Sequence, residues 1–113
     1  MASTNQSDKR DEYIRELRSI ESSLGSAEII GFIQAQNSQD RAKFFDLKSD
    51  IAICRSRLER ERLDTIAVRL EQLGDGFNQG ISNLKNELEN LKNIAEVLSV
   101  INILVGTLTR IFI

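Results

Sequence analysis

Residues 74–113 read GDGFNQGISNLKNELENLKNIAEVLSVINILVGTLTRIFI, and their periodicity decides the fold class. Phe77, Leu84, Leu91, Leu98, Val105 and Phe112 recur at seven-residue intervals, and Ile81, Leu88, Ala95, Asn102 and Thr109 form a companion row offset by four. Such rows share one face of an α-helix, because about 3.6 residues complete a turn. The spacing predicts one helix over 77–110. Ahead of it, Gly74-Asp75-Gly76 predict a turn at 74–76. There Gly74 closes the preceding helix and Asp75 caps the next.

Upstream of that turn, Phe44, Leu47, Ile51, Cys54 and Leu58 step by three and four. Leu63, Ile66, Leu70 and Leu73 resume the pattern displaced by one place, with the aliphatic stem of Arg62 filling the gap. The reading is one helix over 39–73. A short link between two arms of equal length predicts antiparallel neighbours, each spanning roughly 52 Å. Leu73 then lies beside Phe77, and Phe44 beside Val105 or Gly106. The expected hairpin core is Phe44, Leu47, Ile51, Leu58, Ile66, Leu73, Phe77, Leu84, Leu88, Leu91 and Leu98.

Nearer the N-terminus, Tyr13, Leu17, Ile20 and Leu24 form another helical stripe. Gly25 and Ser26 offer a break after it, and Ile29, Ile30, Phe32 and Ile33 carry the apolar content onward. The helix is expected over 8–36, with the break at 25. Gln36–Asp40 form a weak boundary with Ser38 as a cap. Residues 1–7 read as a polar tail, with Ser7 as a further cap. The expected architecture is all-α: a single helical domain over 8–113. Its centre is a long antiparallel coiled-coil hairpin with an additional N-terminal helix, assembling as a helical bundle.

Composition agrees with few, long helices. The 113 residues include no proline, which would break them. No histidine is available as a metal ligand or general base, and one cysteine cannot make an internal disulfide. Cys54, between Ile51 and Leu58, reads as a small core residue. Tyr13 reads as a half-buried ring with its hydroxyl at the edge. Asp46 with Asp50, and Glu87 with Glu89, have no motif ordering them around a cation. No catalytic, cofactor-binding or metal residue is assigned, and the expectation is a protein that is not an enzyme and needs no cofactor.

Fifteen basic and 17 acidic residues leave a net charge of -2, without general attraction to nucleic acid. Arg55, Arg57, Arg60 and Arg62 alternate with Glu59 and Glu61 without interleaved aromatics. They read as a salt-bridged helix surface, with Arg57 and Glu61 paired, rather than a phosphate-binding patch. The polar N-terminus lacks the apolar core of a signal peptide, leaving the cytoplasm as the default compartment.

The final helix changes character after Glu96. Val97–Thr109 carries no charge, and Ile94, Val97, Val100, Ile101, Ile103, Leu104, Leu108 and Ile111 lie outside the two heptad rows. The span is shorter than the roughly 20 apolar residues of a membrane-crossing helix. Each such side chain is worth about 1.5–3 kcal/mol on burial, more in total than a lone hairpin should leave in water. The sequence therefore predicts a homo-oligomer, a dimer or tetramer. Its expected interface is Val97, Val100, Ile101, Asn102, Leu104, Leu108, Ile111 and Phe112; Asn102 in the seam either sets the register or meets water at a loose layer. The expected function is a self-associating interaction module that scaffolds partner proteins. The alternative is membrane association through the hydrophobic C-terminal end.

Overall fold

Tyr13, Leu17, Ile20 and Leu24 bury one face of α1 (Ala2–Leu24), as their spacing requires. The computed structural model describes residues 2–113, with side chains from Asp8 onward. Five further helices follow: α2 (Ala27–Gln34), α3 (Ser38–Arg60), α4 (Leu63–Gln72), α5 (Gly74–Glu89) and α6 (Ile94–Arg110). The protein is an all-α helical bundle, 48 × 21 × 20 Å in extent.

Side-chain pairs give the direction of each long helix. Glu21 meets Arg55, and Arg18 meets Glu59 at 2.7 Å, so α3 runs antiparallel to α1. Gly80 abuts Leu104 and Gly76 approaches Thr107, so α6 runs antiparallel to α5. Tyr13 stacks on Phe77 and Glu16 pairs with Lys85, which sets α5 parallel to α1. Asp40 and Lys43 share a groove with Leu98 and Asn102, while Arg57 sits over the Phe112 ring. Helices α3 and α6 are therefore parallel. The order around the bundle is α1, α3, α6, α5.

That order places α3 and α5 across a diagonal, and α4 makes the crossing. Its 10 residues span roughly 15 Å, enough for a diagonal of about 13 Å when neighbouring axes lie 8–10 Å apart. Ile66, Ala67 and Leu70 close the bundle from α4, which packs on α1. At the other end, α2 packs on α1 and α3 and buries Ile29 and Ile33.

Several boundaries differ from the sequence reading, each for a local reason. The helix expected over 39–73 divides at Glu61 and Arg62, both in extended backbone. The freed Glu61 carbonyl accepts a 2.9 Å hydrogen bond from Arg10 of α1, so the break leaves no orphan there. The displacement between Leu58 and Leu63 marks this break rather than a change of supercoil. The helix expected over 77–110 divides at Asn90–Asn93. The Asn93 side chain accepts from the Ala95 N–H at 2.8 Å, capping α6.

The turn expected at 74–76 is instead the first turn of α5. Gly74 and Gly76 have no positive φ. Gly74 leaves room for the Lys9 side chain: a Cβ there would lie 3.0 Å from Lys9 Nζ. Asp75 sits in the first turn, where a carboxylate favours the positive end of the helix dipole. With the reversal moved to Asn90–Asn93, the 39–73 and 77–110 arms are not an antiparallel hairpin. Lys43, the neighbour of Phe44, lines a groove with Leu98, which puts this part of α3 at the N-terminal end of α6 and not beside Val105 or Gly106.

At the N-terminal boundaries, Ser26 caps α2 and Asn37, rather than Ser38, caps α3. Helix α1 begins at Ala2, so the expected tail over 1–7 is helical from there. Met1 and the side chain of Ser7, expected as a cap, lie outside the described residues.

Tyr13 is fully buried rather than half-exposed. Its ring stacks on Phe77 with centroids 4.0 Å apart and planes 11° apart. Its hydroxyl donates to the Leu70 carbonyl at 2.7 Å, so one side chain joins α1, α4 and α5. Burial, and then the neighbouring Glu12 carboxylate, push the phenol above its ordinary value of 10.0. Burial also raises the Cys54 thiol above 9.0, with Asp50 adding to the rise and Arg57 opposing it.

Both groups therefore stabilise the fold in their neutral forms. Their contribution is fully present below pH 9 and is lost as pH rises, because the unfolded chain then releases protons the folded chain retains. Urea midpoints should fall above pH 9. Tyr13→Phe should flatten the decline above pH 10, while lowering neutral stability by about 1–2 kcal/mol through loss of the buried hydrogen bond. An alkaline profile identical in Tyr13→Phe and the parent would refute this role of the phenol.

Candidate interaction surface

Helix α6 carries more apolar residues than one core-facing stripe can hold. Val97, Ile101, Leu104, Leu108 and Ile111 step by four, three, four and three, and all are buried within the chain. They meet α3 and α5, the two neighbours of α6. Close approach on the α5 side depends on Gly80, where a Cβ would come within 3.3 Å of Leu104 Cδ1. These five residues of the expected oligomer interface thus belong to the fold's own core. Of the other three, Val100 and Phe112 are half-buried and Asn102 is exposed. Asn102 is not inside a seam, because the break at Asn90–Asn93 lets α6 rotate the row of Ala95, Asn102 and Thr109 outward.

The expected hairpin core is retained as bundle core at Phe44, Leu47, Ile51, Leu58, Ile66, Phe77, Leu84 and Leu98, all buried. Leu73, Leu88 and Leu91 are half-buried against it. Leu73 and Leu91 lie at the helix junctions, where one side of the residue faces solvent.

One apolar groove lies between α3 and α6. Asp50, Ile53, Cys54 and Arg57 line it with Val105, Thr109 and Phe112. Ile53 is 60% exposed, whereas Cys54 forms the floor at 8%. The Arg57 guanidinium lies 4.5 Å from the Phe112 ring centroid, a cation–π contact that covers part of the aromatic face. The raised thiol value leaves little thiolate on Cys54 near neutral pH, in keeping with a packing role. Phe45, Val68, Ile103 and Ile113 are exposed elsewhere.

On the opposite shoulder of α3, charges tie the helix to α1. Arg55 bridges Glu21 and Glu59, and Arg18 reaches the same Glu59 carboxylate. Hydrogen bonds from Arg18 and then Arg55 hold Glu59 below the ordinary carboxylate range, and the Glu21 carboxylate holds the Arg55 proton more firmly still. Arg57 pairs with Glu61 at 3.4 Å, as their spacing predicts, and Arg62 pairs with Asp64 at 3.1 Å. These arginines are engaged by carboxylates of the same chain.

Ile53 was not among the expected interface residues. The available signal was its position: it lies off the Phe44, Leu47, Ile51, Cys54 and Leu58 stripe, so burying that stripe leaves Ile53 outside. No helix among the described residues is long and apolar enough to cross a membrane. No family model, curated protein or solved structure matches the chain.

Proposed function

We propose that this chain is a non-catalytic interaction module that associates with copies of itself, building a larger helical bundle able to scaffold partner proteins. The supporting observation is the groove between α3 and α6. There Ile53 stands exposed beside half-buried Val105 and Phe112, on a bundle whose own core is already closed. Covering a contiguous apolar patch releases its hydration water and favours association.

The contact then lies on the outer edge of α6 and the neighbouring face of α3, not on the inward row of α6. Sedimentation of the full chain from micromolar to millimolar concentration should show a mass that rises above that of the monomer. A constant monomer mass over that range overturns the reading. Flotation with anionic or neutral liposomes in place of self-association would instead favour the bilayer as the occupant of the apolar surface.

A further inference from the structure

The outer shoulder of α3 carries a charge pattern that is its own complement when reversed. Asp46, Asp50, Ile53, Arg57 and Arg60 step by four, three, four and three, so they form one stripe along the helix. All five are exposed. From Asp46 onward the first half is acidic and the second half basic, with the apolar residue at the centre; the exposed Lys43 lies one step before Asp46. Asp46 and Arg60 each stand two helical turns from Ile53, and Asp50 and Arg57 about one turn. Ser49 and Ser56 flank Ile53 with small side chains that allow a second helix to approach.

From this pattern we infer that two copies pair through antiparallel α3 helices about a twofold axis at Ile53. The inference rests on the self-association reading above and names its geometry. In a twofold contact, residue i meets j and j meets i. Asp50 of one copy then faces Arg57 of the second, Asp46 faces Arg60, and Ile53 faces its own counterpart. A parallel arrangement would oppose aspartate to aspartate and arginine to arginine, which like-charge repulsion disfavours.

The groups are available for that pairing. Among the described residues Asp46 and Asp50 form no ion pair. Arg57 spends one donor on Glu61, and Arg60 donates its Nε to the Ser56 carbonyl at 3.3 Å. A guanidinium has five N–H donors, so both retain several for a facing carboxylate. The apolar centre adjoins the groove lined by Val105 and Phe112, giving the second copy's Ile53 an apolar neighbourhood. The net charge of -2 adds little general repulsion between copies.

Charge reversal tests the pairing without touching the core. An Asp46→Arg/Asp50→Arg chain has an all-basic stripe, and an Arg57→Glu/Arg60→Glu chain an all-acidic one. Each alone should self-associate more than about tenfold more weakly than the parent, with circular dichroism unchanged. Their equimolar mixture should recover the parent's dimer mass at low salt. In a separate readout, Ile53→Cys in a Cys54→Ala background should oxidise to a disulfide-linked dimer, because the axis places the two thiols together. A parent dimer indifferent to both reversals, or a mixture that fails to recover, overturns the antiparallel pairing while leaving self-association through another face. A parent that stays monomeric up to millimolar concentration overturns both.

Discussion

A chain ended after Glu96 is expected to lose its cooperative fold altogether, rather than to survive as a monomer. The cut removes Val97, Ile101 and Leu104, each 0% exposed, Leu108 and Ile111, each 1% exposed, and Leu98, 5% exposed. At about 1.5–3 kcal/mol for each of these six side chains, the direct loss is roughly 9–18 kcal/mol. That is comparable with the whole net stability of a domain, about 5–15 kcal/mol. It also uncovers the α3 and α5 faces on which α6 packs. Far-ultraviolet circular dichroism should show much reduced helix, and urea titration no sigmoidal transition. A truncated chain that melts cooperatively would show that α6 is an appendage and not a wall of the bundle.

Phe77→Ala should be among the most damaging single truncations, costing about 3–5 kcal/mol, in the range of buried aromatic deletions. Phe77 is 1% exposed and supplies the stacking face for Tyr13. Its removal leaves a cavity at the point where α1, α4 and α5 converge, and the Tyr13 hydroxyl bond to Leu70 limits how far the ring can move to fill it. Phe77→Leu should recover more than half the loss by refilling most of that space. The control is Phe45→Ala, where the ring is 44% exposed and the change should stay within about 1 kcal/mol. Chemical unfolding of the three variants distinguishes the outcomes. Equal losses at Phe77 and Phe45 would contradict the placement of the core.

These expectations differ from those of a long hairpin, and the difference lies in a few residues. The row of Leu84, Leu91, Leu98, Val105 and Phe112 keeps its spacing through Asn90–Asn93, so periodicity alone gives no sign of a stop. The sign was in the asparagines, whose short amides compete with the backbone and cap helices well. The displacement after Leu58 was likewise visible, but a shifted seam and a broken helix share that pattern. What separates them is Arg10, which comes from α1 to satisfy the carbonyl at Glu61. The candidate surface was legible only in pieces. Asp46, Asp50 and the arginines were evident as charges, while the exposure of Ile53 depended on which neighbouring stripe became buried.

By itself, the order of residues determined the helical class and the inward faces of the first and third helices. Tyr13 through Leu24 and Phe44 through Leu58 are buried at the positions their spacing demands. Spacing achieves this because a helix is a local structure, with hydrogen bonds and side-chain directions repeating over a few residues. Tertiary structure alone decided that α4 crosses the end of the bundle, that α6 lies parallel to α3, and that α6 turns its most apolar row inward. Those outcomes depend on contacts between residues distant in the chain, such as Arg10 with Glu61 and Gly80 with Leu104, which no local repeat encodes.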